Sequence, residues 1–195
     1  MTAGRRSILL GGLALGGCLF ERPYYEKNPQ QKAFLDGLRA LAKRALASDN
    51  PLQVEEAAKQ SVVLSAEVGA FANWRGILKM IEGNAQDVAI TLEIGPQVSL
   101  YAFNDWALAL AGRASDIFSA RSRDLPPPGL SDNAIAALKT FRLGQTVVIS
   151  GRMGEIAGSG LFDLTRLFGK GDGDNRQFLQ APRFVARIES LAPSE

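Results

Sequence analysis

The chain has 195 residues with 22 basic and 20 acidic side chains, a single cysteine and no histidine. That length suits one domain with a modest core, and one cysteine excludes an internal disulfide. The missing histidine excludes Ser-His and Cys-His nucleophile activation, imidazole acid/base chemistry and histidine metal ligation.

Arg5 and Arg6 precede an apolar run from Ile8 to Leu15, which ends in Gly16, Gly17 and Cys18. A basic start, a short apolar middle and a small-residue end are the three regions of a secretory signal. The run is too short for a bilayer, which needs ~20 helical residues. Four glycines in and beside it would also weaken a buried core helix. The expectation is a signal peptide over residues 1–17, with Cys18 opening the mature chain; a buried cysteine at a chance position is the alternative. Cleavage there removes two basic residues and no acids, leaving 20 of each. The mature chain then lacks the net positive field of a nucleic-acid binder.

Residues 18–30 carry Pro23, Tyr24 and Tyr25 among charges and read as a tether. The tyrosine pair could sit at headgroup level, or the whole segment could be a disordered linker. Residues 31–70 read as helical. Phe34, Leu35, Leu38, Leu41, Ala42, Ala45 and Leu46 form a stripe over Gln31 to Ala47, with charges largely off it. A helix packed on the domain, rather than a membrane-surface helix, is the expected cause. Asn50 then suits an N-cap, Pro51 the first helical position and Gln53 a capping box. The second helix should run to about Lys59. Beyond it Val62, Leu64, Ala66 and Val68 alternate as in a strand, although nothing stops the helix.

From residue 71 to 195 the texture is β. Trp74, Gly76, Leu78 and Met80 mark a first strand, Val88 to Ile94 a second and Val98 to Ala102 a third. With Gly95-Pro96-Gln97 as a three-residue loop, Ile94 faces Val98 and Leu92 faces Leu100. Tyr101 and Phe103 then point away from the core, beside Thr91 and Ala89. A long excursion from Asn104 to Gly129 follows, then a short helix capped by Ser131 through Ile135, Ala136 and Leu138. Leu143 to Gly151 is the strongest strand. A glycine-rich loop, Gly154 to Ala181, precedes a last strand from Phe184 to Leu191.

Several motifs fail on inspection. Gly171-Asp172-Gly173-Asp174-Asn175 suggests calcium, but Arg176 and Arg183 stand where ligands belong, so a solvated turn is expected. Phe168-Gly169-Lys170-Gly171 lacks the glycine and hydroxyl of a phosphate loop. Gly158-Ser159-Gly160 lacks the spacing of a nucleophile elbow. Leu161, Phe162, Leu164, Leu167 and Phe168 have helical spacing suited to closing a barrel mouth. No cofactor, metal or catalytic set follows from these residues, and no enzyme activity is expected.

Leu15-Gly16-Gly17-Cys18 resembles the lipobox of bacterial lipoproteins, and Gly4 to Leu9 resembles a twin-arginine motif with Ile8 where phenylalanine is commoner. A general export route with two chance arginines stays open. The lipobox resemblance implies acylation of the Cys18 thiol and attachment to the cell envelope on its periplasmic or outer side. More than one acyl chain is needed for stable anchoring, and the implied diacyl or triacyl cysteine meets that need. Leu19 after the cysteine resembles outer-membrane sorting in diderm bacteria.

Three strands, a helix and two strands is the order of the OB-fold. Trp74-Arg75-Gly76-Ile77-Leu78 and Leu143 to Gly151 resemble the first and fourth strands of small OB domains, a group that includes tRNA-anticodon-like ones. The resemblance implies an α+β protein, N-terminal helices followed by a five-stranded OB-like β-barrel; another small barrel or a half-open sandwich is the alternative. It further implies ligand contact at the second and third strands and the flanking loops. The candidates are Tyr101 and Phe103 as stacking platforms with Arg152, Arg166 and Lys170 as cationic partners. Alternatively, both aromatics cover the helical segment. The leading expectation is a lipid-anchored envelope protein with a binding or structural role and a protein partner. The second is a module for an oligosaccharide or single-stranded nucleic acid.

Overall fold

A computed structural model of the chain describes residues 23–83, 88–104, 129–153, 155–156, 160–161 and 173–194. The signal segment with Arg5, Arg6 and Cys18, most of the excursion after Asn104, and Arg166 and Lys170 lie outside the described residues.

A single 3-10 turn, Tyr24–Glu26, leads into helices α1 (Pro29–Leu46) and α2 (Pro51–Val68). Strands β1 (Ala70–Glu82), β2 (Ala89–Gly95) and β3 (Val98–Phe103) follow, then helix α3 (Asp132–Leu138) and strand β4 (Thr146–Met153). A small hairpin, β5 (Glu155–Ile156) with β6 (Gly160–Leu161), precedes helix α4 (Gly173–Gln180) and strand β7 (Arg183–Pro193). The five long strands close into a barrel in the order β1-β2-β3-β7-β4. Strand β7 runs parallel to β3, and the other neighbours are antiparallel. The protein is therefore α+β, with N-terminal helices ahead of an OB-like barrel, and closure excludes the half-open sandwich.

Both helices begin on the same local signal. The Asn28 side chain accepts the Gln31 amide at 3.0 Å with Pro29 at the first helical position. Asn50 accepts the Leu52 amide at 3.0 Å ahead of Pro51. Each cap satisfies an amide that would otherwise lack a partner. Helix α2 continues past Lys59 to Val68 and stops at Gly69, whose φ is +56°. Its buried side is a stripe of small residues, Ala57, Ala58, Ser61 and Ser65, at helical spacing behind Val54. The two serine hydroxyls donate back to the carbonyls of Ala57 and Val62, so neither is left unsatisfied. The alternation of Val62, Leu64, Ala66 and Val68 is thus overridden by burial of the opposite face. No helix among the described residues is long and apolar enough to cross a membrane.

Helix α1 plugs one end of the barrel. Phe34 stacks on Trp74 with ring centroids 5.5 Å apart and meets Phe184 edge-on at the same separation. Phe71 and Phe178 complete this aromatic cluster against Trp74 and Phe184. Phe178 belongs to α4, so a helix begins at Gly173 inside the run read as a solvated turn. Its sister Arg176 donates to the Ser48 carbonyl between α1 and α2 at 2.7 Å. Helix α3 closes the opposite end through Leu130, Ala134, Leu138 and Phe141. Ser131 caps it by accepting the Ala134 amide at 3.1 Å, as its position suggested.

The β2–β3 register shows how two errors can cancel. Leu92 faces Leu100, Thr91 faces Tyr101 and Ala89 faces Phe103, as expected. The turn, however, has two residues, Pro96 and Gln97, because Gly95 rather than Ile94 faces Val98. Ile94 is the extra residue of a bulge, which restores the faces that a plain two-residue turn would have inverted. Pro96 followed by Gln97 at φ +64° is the type II pattern.

The segment read as a tether is seated on the barrel from Tyr24 onward. The Tyr24 hydroxyl donates to the Glu93 carbonyl at 3.1 Å, and its ring meets Tyr25 edge-on. Burial, then the charge of Glu93 and then Tyr25, raise the Tyr24 pKa well above its usual value of 10.0. The folded state therefore holds this proton more tightly than the unfolded chain. Stability is fully present below pH 10.0 and declines as the pH rises above it. Denaturant midpoints should fall between pH 9 and pH 11, and Tyr24→Phe should flatten that decline. An unchanged slope would contradict the assignment.

Candidate functional site

Strands β3, β7 and β4 present one continuous outer face, because their inward sets are fixed by the core. Leu100, Ala102, Phe184, Ala186, Ile188, Ile149 and Met153 all point in. Strict alternation then sends Tyr101, Phe103, Val185, Arg187 and Arg152 to the other side of the sheet, where Val185 is buried, Tyr101, Phe103 and Arg187 are half-buried and Arg152 is exposed. Tyr101 lies between Thr91 on β2 and Val185 on β7. Its ring packs on Phe103 with centroids 5.3 Å apart and planes tilted by 39°. Helix α1 makes its ring contacts with the inward Trp74 and Phe184. The aromatic pair on β3 belongs to the opposite face of the sheet.

Between Phe103 and Arg187 runs the short segment Gly129–Ser131. Gly129 donates its amide to the Phe103 carbonyl at 3.1 Å, and its own carbonyl accepts the Ile188 amide at 2.7 Å. Asn104 holds the neighbouring residue by accepting the Leu130 amide at 2.8 Å. Leu130 pairs with Ile188 and points inward with it. Gly129 therefore bridges the two strands without adding a side chain. A Cβ there would stand 2.6 Å from the Phe103 carbonyl oxygen.

On the other side of β7, Arg187 faces Arg152 directly across the β4 ladder. Like charges at opposed positions oppose pairing. Arg152 has a counter-charge, with its Nε 3.4 Å from a Glu189 carboxylate oxygen. Both members are well exposed, so this pair contributes little to stability. Arg187 differs. Its Nε is buried and has no hydrogen-bond partner among the described residues. A buried donor without an acceptor is costly, and it marks this spot as chemically incomplete.

Of the five candidates read from the sequence, Tyr101, Phe103 and Arg152 thus fall on one face, while Arg166 and Lys170 lie outside the described residues. Arg187 is the member that sequence reasoning missed. Its signal was present: within Phe184 to Leu191 it occupies an outward position of an alternating strand. Only the sheet order places it between the aromatic pair and Arg152. The described residues contain no cluster of three or more His, Cys, Asp or Glu placed to hold a metal ion.

No family model matches this chain, and no curated protein or solved structure matches it either. Function has to be argued from the site itself.

Proposed function

We propose that this is a lipid-anchored protein of a bacterial cell envelope whose barrel binds another envelope component through the β3–β7–β4 face. The observation that supports binding is the opposed pair Arg152 and Arg187, with the Arg187 Nε unpartnered among the described residues, beside a packed aromatic pair. Anchoring rests on the lipobox-like Leu15 to Cys18. The seating of the chain from Tyr24 also fits that role. Five residues separate Cys18 from this fixed point, a reach of about 20 Å when extended. An acylated Cys18 would hold the β2–β3 end of the barrel close to the membrane surface. A binding role is preferred to a catalytic one because the chain has no histidine and no nucleophile motif.

The decisive measurement for anchoring is fractionation. Cys18→Ala should move the protein from the membrane pellet to the soluble fraction while its circular dichroism stays unchanged. A membrane-bound Cys18→Ala protein, or native material with an unmodified sulfur, would refute the anchor. For binding, a photoreactive residue replacing Tyr101 should give a defined adduct in intact cells. The same residue replacing Gln60, exposed on α2, should not. Equal labelling from the two positions would count against the face.

The second reading, an oligosaccharide or single-stranded nucleic-acid module, is favoured by one feature. Tyr101 and Phe103 offer adjacent ring surfaces on the strand where OB-like barrels take such ligands.

A further inference from the structure

We infer that Arg152 and Arg187 form a receptor for a single anionic group, the carboxylate of an acidic oligosaccharide whose neighbouring sugar ring rests on Tyr101 and Phe103. The inference rests on the proposal that this face binds a ligand, and it names the ligand's chemistry.

Two guanidinium groups stand opposed on adjacent strands, an arrangement that folding alone disfavours. One carboxylate, Glu189, serves Arg152. Among the described residues this arginine pair keeps a surplus of one positive charge, and the Arg187 Nε has no acceptor. A guanidinium edge matches the two oxygens of a carboxylate in a fixed fork, with hydrogen bonds stronger than neutral ones. Bound at the outer guanidinium nitrogens, one carboxylate would relieve the repulsion between the two arginines.

The second half of the site sets the ligand's shape. Phe103 lies two strand spacings from Arg187, with Gly129 between them, which is about 10 Å. Gly129 adds no side chain, so the surface between rings and guanidinium groups is not obstructed from that position. A sugar on the aromatic pair would leave the acid of an adjoining sugar over the arginines.

Single-stranded nucleic acid fits less well. It carries one phosphate per nucleotide and is bound by cations spaced along its whole track. Among the described residues this face carries Arg152, Arg183 and Arg187 against Glu189, with Glu93 on β2 paired to Lys79 at 2.9 Å, so its cations are few and interleaved with acids rather than spaced along a track. After loss of the signal segment the chain has equal numbers of acids and bases. One acid on a neutral chain of rings is the better match.

The test is calorimetric titration of the purified protein with three probes: an oligogalacturonate, its methyl ester and oligo-dT. The wild type should bind the acid about tenfold more tightly than the ester. Arg187→Gln should bring the acid down to the ester's affinity and leave the ester unchanged. Its unfolding midpoint should not fall, because the variant removes a like-charge contact, so lost affinity cannot be ascribed to misfolding. Tyr101→Ala combined with Phe103→Ala should weaken both saccharides. Equal affinity for acid and ester, or unchanged acid binding by Arg187→Gln, overturns the inference alone. Preference for oligo-dT overturns it in favour of a nucleic-acid site. Absence of binding by either saccharide overturns the inference. If the residue-101 crosslink is also lost in cells, the binding face falls with it.

Discussion

Gly151→Ala is expected to destabilise the protein by about 4 kcal/mol or more, a loss comparable to the whole stability of a small domain. Gly151 sits in β4 at a register shift against β7, where Ser150 faces Ser190 and Gly151 faces Ile188. A Cβ built there would lie 2.0 Å from the Arg187 carbonyl oxygen and 3.0 Å from its carbon. Both atoms belong to the backbone of a paired strand, which cannot swing aside as a side chain would. The strands must separate, and with them the ladder that closes the barrel. Gly144→Ala is the matched control. Gly144 has φ +83° and nothing within 4 Å of its added Cβ, so only backbone strain of about 1–2 kcal/mol applies. Urea midpoints of the two variants should differ widely. A Gly151→Ala protein as stable as Gly144→Ala would show that the bulge relaxes freely.

Gln31→Leu should be nearly as damaging, by about 3 kcal/mol or more, although it puts an apolar residue at a fully buried position. Strands β1 and β2 pair from Glu82 back to Ile77, opposite Glu93, and then diverge. The Gln31 amide fills the gap. Its Nε2 donates to the carbonyls of Arg75 at 2.6 Å and Ile94 at 2.7 Å, while its Oε1 accepts the Arg75 amide at 2.8 Å. Leucine would strand three buried backbone groups, each costing about 1–3 kcal/mol. Chemical denaturation measures the loss directly. Gln31→Glu gives a second readout. Its carboxylate would face two carbonyl oxygens, so burial and repulsion should raise its pKa, and the variant should be more stable in acid than at neutral pH. A Gln31→Leu protein within 1 kcal/mol of wild type would mean that water replaces the amide.

Gln31 also shows what a linear reading could not see. Its neighbours act in the same way. Asn28 donates to the carbonyls of Ala72 and Asn73, and Gln30 donates to Ala70 while accepting the Trp74 indole N–H at 3.0 Å. Three consecutive-looking polar residues at a helix start thus replace the missing strand beside the first half of β1. The sequence carried the helix start itself, since Asn28-Pro29 repeats the Asn50-Pro51 signal. Hydropathy carried the inward sets of β2, β3 and β4, because one buried face imposes a period of two. Those sets also sufficed to turn Tyr101 and Phe103 outward.

The limits of that reading are equally physical. Alternation in Val62 to Val68 pointed to a strand, but the small stripe Ala57, Ala58, Ser61 and Ser65 packs closely and keeps the helix. Ile94 looked like a paired residue, yet a bulge at this position carries no sign in composition. The run around Gly173 was polar enough for a turn, and Phe178 and Leu179 reached the core only through a helix.

What the sequence by itself determined is therefore local and periodic: helix caps, strand faces and the order of the long strands. Those features depend on neighbours within a few residues, which chain order supplies. Tertiary structure alone decided which strands lie side by side. The parallel contact of β3 with β7, and the β7–β4 ladder beyond it, bring Tyr101 and Phe103 into line with Arg187, more than 80 residues away in the chain, and with Arg152, about 50 away. No local preference encodes that meeting. Barrel closure does, because a closed sheet leaves each strand only two neighbours and so fixes what shares its outer face.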